Sequence, residues 1–379
     1  MLRVGIVAGE ASGDVLGSEL IHECKKISPG IQFEGIGGPL MASAGCDILF
    51  PADKLAVMGI LEVAGRYFEL ASIRRKLLRH YLSNPPDLFI GIDAPDFNLT
   101  LEKKLRHIGV KTVHYVGPTV WAWRAGRLKK VKQAVDLMLV LFPFEVPIYE
   151  NYGVKVKFAG HPAVDSHVPM EDKSDLNQRL GIDPHKQVIA FMPGSRKTEI
   201  DRILPIQLEV FRQINKNNPD YEFITNVLTD EDFGRVEQYA SKVLGDGSKV
   251  NIKIFKNRSK EVLSVADVGL LTSGTITLEA LLCQLPMVVM YKMNSLSFKI
   301  IRSMVRIQYA SLPNLLAGKK IVPEFIQDDC IPDNIKPALL GLLKKDLRQI
   351  QLDEFKTVQC QLKQLDRAAL AREVLDLVS

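Results

Sequence analysis

Cysteine is sparse in this sequence and unpaired by spacing. Cys24, Cys46, Cys283, Cys330 and Cys360 make five in all. They lie far apart, with no CxxC pair and no metal-ligand spacing, so the pattern excludes a disulfide framework and a zinc cluster. Reduced thiols in a cytosolic compartment are the expectation. No apolar run approaches the roughly 20 residues of a membrane-spanning helix. The opening MLRVGIVAGEASGD has too short an apolar run, with acids directly behind it, for a secretory signal. A protein that is soluble or bound to a membrane surface is therefore expected. Also missing are a Walker A run, an HExxH motif, low-complexity segments and short-period repeats. One-sided charge is missing too. Lys and Arg number 49 against 44 Asp and Glu, a net +5. That is too little to argue for nucleic acid, but it suits an anionic substrate or an anionic membrane surface.

What is present is ordinary globular material in quantity: 379 residues, 46% apolar and 25% charged. A chain of this length divides into two domains by default. Short apolar runs alternate with longer amphipathic ones. Strands are predicted at 2–8, 32–36, 87–92, 111–116 and 136–142, then at 187–192, 221–226, 250–255, 267–271 and 286–291. Most are continuous rather than alternating, as in sheets covered on both faces, so the predicted class is α/β with parallel, doubly wound sheets. The polar, proline-bearing stretch 161–186 reads as the join. The predicted organisation is a Rossmann-like domain over 1–165, a second over 166–345, and a helical tail over 346–379. That tail is expected to pack back on the first domain, of its own chain or of a partner's, which leaves a homodimer open. Two such domains imply a central cleft lined by the loops after the strands.

Those loops carry the chemistry. VAGEASGDVLG (7–17) has glycines four apart, which is not the GxGxxG fingerprint. Glu10 and Asp14 would repel a diphosphate there, so the loop suits sugar hydroxyls or a cation better. A plain tight turn capped by Ser12 or Asp14 fits it as well. In GIDAPDFN (91–98), Asp93 stands at the end of an apolar strand, where a half-desolvated carboxylate can act as a general base. Asp96 is better placed to cap the next helix. HYVGPTVWAWR (114–124) puts Trp121 and Trp123 directly behind a strand, in a connector or packed on the adjoining helix. In the second half, Pro193-Gly194-Ser195-Arg196 ends a strand and opens a helix. Backbone donors and an arginine make an anion site there. LLTSGTITLE (270–279) offers Ser273, Gly274 and Thr275 without negative charge, the better diphosphate seat, with Glu279 placed to accept ribose hydroxyls. The acidic run at 229–232 fits a helix cap rather than a metal-binding DxD. The nucleotide is therefore expected in the second half.

VAGEASGD, LAVMGILEV, GIDAPDFN, HYVGPTVWAWR, PGSR, LLTSGTITLE and SLPNLLAG (311–318) stand in the order and wording of the lipid-A-disaccharide synthases, which the chain resembles over essentially its whole length. Glycine stands at 117 where the family motif has serine. The resemblance implies the glycosyltransferase-B fold and a metal-independent inverting transferase with no cofactor. It implies transfer of 2,3-diacylglucosamine from its UDP derivative to the 6-hydroxyl of 2,3-diacylglucosamine-1-phosphate, giving a β-1,6 disaccharide 1-phosphate and UDP, on the route to lipid A in Gram-negative bacteria. The family's essential acid maps to Asp93, its essential arginine to Arg196, and the glutamate of VAGE to Glu10. Expected substrate contacts are Ser12, Asp96, Asn98, Trp123, Ser195, Ser273, Gly274, Thr275, Glu279 and Asn314. Acylated substrates call for an apolar surface, and 57–82 offers one, with Met58, Ile60, Val63, Tyr67 and Leu70 as the expected acyl contacts; Leu70, Ile73, Leu77 and Tyr81 form one helical stripe that Tyr67, Ala71, Leu78 and Leu82 widen. Arg74, Arg75, Lys76 and Arg79 would meet lipid headgroups on the cytoplasmic face of the inner membrane; an ordinary buried helix with a basic outer face fits the same pattern. Two other readings stay open. One is another UDP-sugar enzyme, such as a lipid-linked peptidoglycan glycosyltransferase or a UDP-sugar 2-epimerase. The other is a non-catalytic nucleotide- or lipid-binding module of the same fold.

Overall fold

A computed structural model describes residues 1–55, 60–118, 126–165, 172–216, 220–245, 252–304, 308–362 and 366–379; the side chains at 60–67, 126, 165, 296, 300, 301, 303 and 304 are not described. The chain forms two compact units, Met1–Pro162 with Leu362–Ser379, and Ala163–Gln361.

The first unit is built on seven strands: β1 (Arg3–Ala8), β2 (Gln32–Gly37), β3 (Cys46–Pro51), β4 (Leu88–Ile92), β5 (Lys111–Tyr115), β6 (Leu137–Val140) and β7 (Val156–Phe158). They run parallel in the order β3-β2-β1-β4-β5-β6-β7. The second unit holds β8 (Gln187–Met192), β9 (Tyr221–Val227), β10 (Ile252–Lys256), β11 (Val268–Thr272), β12 (Met287–Tyr291) and β13 (Glu324–Ile326), all parallel in the order β10-β9-β8-β11-β12-β13. Both sheets are doubly wound, as the apolar runs predict. Central strands such as β4, β6 and β11 are buried at every residue, which is what helices on both faces demand. The strands that the sequence did not announce, β3, β7 and β13, all lie at sheet edges and are largely half-buried. With one neighbour and partial cover they need no continuous apolar run.

In each sheet the strand order reverses once, between β1 and β4 and between β8 and β11. Open parallel sheets bind ligands outside the carboxyl ends of the strands at that point. The loops behind these four strands contain Glu10, Asp93, Arg196 and Ser273.

Two expectations are corrected. The tail does not act as one piece. Helix Lys345–Leu362 belongs with the second unit, where Gln351 accepts from the Met287 amide (2.6 Å) and donates to the Ile321 carbonyl (3.1 Å). Only helix Arg367–Leu375 joins the first, burying Leu370, Ala371 and Val374 in its core and pairing Arg367 with Glu19 at 3.2 Å. The apolar stripe on helix Ile60–Ser83 is core in its second half. Ile73, Leu77 and Tyr81 pack on Val7, Ile36 and Phe89, and Tyr81 donates to the Glu34 carbonyl at 2.9 Å. Leu70 is half-buried and Leu82 exposed. Met58 lies outside the described residues, as do the side chains of Ile60, Val63 and Tyr67.

Candidate active site

In the first unit, helix Ala11–Ile27 starts directly behind β1 with Glu10 as its N-cap residue. The Glu10 side chain makes no capping bond and is exposed, as is Ser12. Asp14 is turned the other way. Buried, it accepts the amides of Gly38 (2.8 Å), Leu40 (3.0 Å) and Met41 (3.0 Å), and so caps helix Pro39–Ser43. Asp14 therefore does not stand where a diphosphate would lie, and of the two acids Glu10 alone faces outward. The β1 and β4 loops touch: a Cβ at Gly9 would meet the Ala94 Cβ at 3.2 Å.

Asp93 follows β4 in a tight reversal. It and Ala94 have φ of 50° and 43°, left-handed values that cost a non-glycine residue about 1–2 kcal/mol each. The turn is clamped from both sides. The Asp93 amide donates to the Tyr115 carbonyl on β5 (2.8 Å), and the Asp93 carbonyl accepts from Asn98 Nδ2 (2.8 Å). Asp93 is half-buried, the setting suited to a base. Asn98, expected as a substrate contact, is instead fully buried with its amide turned to the β4 exit. Asp96 does not cap its helix; it is exposed and holds Arg127 Nη2 at 2.7 and 2.9 Å. Trp121 and Trp123 lie outside the described residues.

The second unit encloses a cavity of about 400 Å³ at the ends of β8 and β11. It brings together Ser195, Arg196, Ser273, Gly274, Thr275 and Glu279, all of them predicted contacts. Gly194 makes the first wall possible. At φ +109° it adopts a conformation that L side chains rarely reach, and a Cβ there would lie 2.8 Å from the Glu199 Cβ. Glu199 opens helix Lys197–Asn215. Its carboxylate accepts the amides of Ser195 (3.3 Å) and Arg196 (3.4 Å) and the Arg196 guanidinium (3.2 Å). Arg196 remains 77% exposed, free to swing onto an anion. On the second wall Ser273 is more committed than expected. Its amide donates to the Met290 carbonyl (3.0 Å) and its hydroxyl to the Ala310 carbonyl (2.7 Å), so it supplies lone pairs, not protons. Gly274 and Thr275 are exposed there. Glu279 accepts from Ser259 Oγ at 3.3 Å, and burial lifts its carboxyl above the usual range.

Asn314 is also corrected. On helix Leu312–Ala317, it is fully buried and bonded to Ile321 and Val322 and to Glu324 at the start of β13. Glu324 in turn accepts from the Ala310 and Ser311 amides. Asn314 thus holds Glu324, which holds the Ala310–Ser311 segment on which Ser273 rests, and it does not line the cavity. The lining residues that went unpredicted include the polar Glu199, Asn226, Ser259 and Thr272. Glu199 was legible as an acid three positions after a helix start; Asn226 and Ser259 carry no such signal. The acidic run at 229–232 caps its helix, with Thr229 Oγ1 accepting the Asp232 amide at 3.1 Å.

The sequence profile described as lipid-A-disaccharide synthetase matches residues 4–375. The chain belongs to this family. Relatives named lipid-A-disaccharide synthase include one from Hahella chejuensis, 43% identical over 377 residues covering 100% of this chain and 94% of that one. One from Pseudomonas aeruginosa is 42% identical, covering 100% and 98%. Among solved structures, UDP-GlcNAc 2-epimerase from Neisseria meningitidis bound to UDP-GlcNAc gives a TM-score of 0.60 at 12% identity, covering both chains completely. An Anabaena protein in complex with UDP-glucose gives 0.58 at 13%, covering 100% and 99%. At such identities these two likenesses speak to the fold alone, two parallel-sheet α/β domains. Family membership makes the chain a glycosyltransferase of lipid A biosynthesis.

Proposed function

We infer that the chain transfers 2,3-diacylglucosamine from UDP-2,3-diacylglucosamine to the 6-hydroxyl of 2,3-diacylglucosamine-1-phosphate, releasing UDP and leaving a β-1,6 disaccharide 1-phosphate. The observation that carries the reading is the cavity in the second unit, where a cation, free amides and a carboxylate stand around a space of about 400 Å³. Glu279 accepts the ribose hydroxyls, and Arg196 with the Gly274–Thr275 backbone meets the diphosphate. Asp93 takes the proton of the acceptor hydroxyl as its oxygen attacks the anomeric carbon from the face opposite UDP. The bond to the diphosphate breaks as the new glycosidic bond forms, so the centre inverts. Negative charge collecting on the leaving diphosphate is met by Arg196. Glu10, on the loop that touches the Asp93 turn at Ala94, orients sugar hydroxyls.

Peripheral attachment to the cytoplasmic face of the inner membrane belongs to the same reading. Support comes from an open hollow of about 1110 Å³ between helices Ile60–Ser83, Pro95–His107 and Gly126–Ala134, where Lys103, Lys104, Arg106 and Lys130 surround Leu78 and Leu82. Among the described residues no helix is long and apolar enough to cross a membrane. A basic rim over an apolar floor is the surface that anionic lipid attracts.

The test is incubation of the purified chain with both sugars, followed by mass analysis. Equal amounts of UDP and disaccharide 1-phosphate are expected. UDP without disaccharide, or an epimerised sugar nucleotide, would overturn the assignment.

A further inference from the structure

Beneath the Asp93 turn lies a polar cluster that the transfer step does not touch. Asn98 and Glu102, on helix Pro95–His107, and His114, on β5, are all fully buried. Glu102 Oε1 and His114 Nδ1 are 2.7 Å apart. Asn98 Nδ2 donates to the carbonyls of Ile92 (3.3 Å) and Asp93 (2.8 Å). Gly91, paired with His114 across the sheet, makes room for both side chains: a Cβ there would fall against Glu102 Oε1 and 2.9 Å from the Asn98 Cβ. Among the described residues, Asn98 Oδ1, Glu102 Oε2 and His114 Nε2 have no hydrogen-bond partner and no access to solvent. Burial lifts the Glu102 carboxyl above its ordinary range, with His114 pulling the other way.

Stability alone does not call for such a cluster. Apolar side chains of similar volume serve a core as well or better, and orphaned buried polar atoms weaken it. What apolar side chains would not do is hold the Asp93 carbonyl. We propose that Asn98, Glu102 and His114 are positioning residues for the Asp93 carboxylate. Asn98 grips the carbonyl side of the left-handed turn. The Glu102–His114 bond ties the helix carrying Asn98 to β5, and the next residue of β5, Tyr115, receives the Asp93 amide. Amide and carbonyl are thereby fixed together, which sets the direction of the Asp93 Cα–Cβ bond. The proposal rests on the reading of Asp93 as the base.

The test uses the full chain, with steady-state and single-turnover kinetics and amide hydrogen exchange over residues 92–98. Asn98→Leu, with the same heavy-atom branching but without the donor, is expected to lower kcat about 30-fold, leave both KM values within about threefold, and speed exchange at the turn. Glu102→Leu should lose about tenfold, and Glu102→Gln, which keeps a bond to His114, should recover most of it. Introduced on top of Asp93→Asn, Asn98→Leu should cost less than about twofold more, because the group it positions is already disabled. Should Asn98→Leu fail to melt cooperatively, Asn98→Ala removes the same donor without adding volume. A kcat within about threefold of wild type, unchanged exchange at the turn, or a full loss repeated on Asp93→Asn would each overturn the proposal. Wild-type turnover by Asp93→Asn alone would instead remove Asp93 as the base, and exchange would still show whether the clamp holds the turn.

Discussion

Replacing Arg196 by alanine should separate catalysis from stability, because the side chain has so little to do with the fold. Its guanidinium is 77% exposed, and its recorded side-chain partner is Glu199 at 3.2 Å. A pair this open to water contributes a few tenths of a kcal/mol, so the thermal midpoint should fall by no more than about 1 °C. The effect on turnover has a different scale. Charge on the departing diphosphate is greater in the transition state than in the bound substrate, and loss of one preorganised donor there costs about 3–4 kcal/mol, or roughly 100- to 1,000-fold in kcat. The donor KM should rise by less than kcat falls, since the same cation helps the ground state less. Arg196→Lys keeps a charge without the two-pronged fork and should recover only part of the rate. Single-turnover release of UDP gives the rate, and scanning calorimetry gives the midpoint. A loss in kcat of tenfold or less, or a midpoint lowered by about 5 °C or more, would refute an exposed, charge-stabilising Arg196.

Other consequences are equally open to measurement. Glu279 has its carboxyl raised chiefly by burial, and its ionised form is the stronger acceptor for ribose hydroxyls. UDP affinity by calorimetry should therefore fall more steeply on acidification in the native chain than in Glu279→Gln, which should bind more weakly at neutral pH and keep only the pH dependence of the UDP phosphate itself. Gly194→Ala places a Cβ at φ +109° and 2.8 Å from the Glu199 Cβ; urea unfolding should show a loss of more than about 1 kcal/mol, with weaker UDP binding. His161, stacked on Phe142 at 5.3 Å, is pushed by burial down to about 4 from its ordinary 6.5. The unfolded chain then binds the extra proton. The stability gained by keeping His161 neutral is complete above about pH 6.5 and fades as pH drops towards 4, by an amount on the order of 2 kcal/mol between pH 7 and 5. His161→Gln should remove that part of the pH dependence in denaturant unfolding.

Legibility followed the strength of the local signal. LFIGI before Asp93 and VGLLT before Ser273 were readable as central strands because both faces of each are covered, and the loop behind each could then be searched for chemistry. Glu324–Ile326 was not readable: three half-buried residues at a sheet edge leave almost no pattern. Arg196, Thr275 and Glu279 could be named in advance, since a small polar turn between strand and helix is a local arrangement of backbone donors. Asn98 and Asn314 were misread because an amide next to a motif looks the same whether it faces ligand or backbone. The stripe through Ile73, Leu77 and Tyr81 was ambiguous for a related reason. Helical spacing gives an apolar face but not what covers it.

The order of residues alone determined the α/β class, the two parallel sheets, the family, and which turns carry acid, cation and small polar groups, because period and turn chemistry act over a few residues. Tertiary structure alone decided which of those groups face outward. Asp14 turned to cap a helix 24 residues away, Asn314 turned to Glu324 at the start of β13, and Asn98 closed on the Asp93 carbonyl. Each choice depends on buried amides and carbonyls finding partners across the sequence, and long-range hydrogen bonding of that kind leaves no periodic trace along the chain.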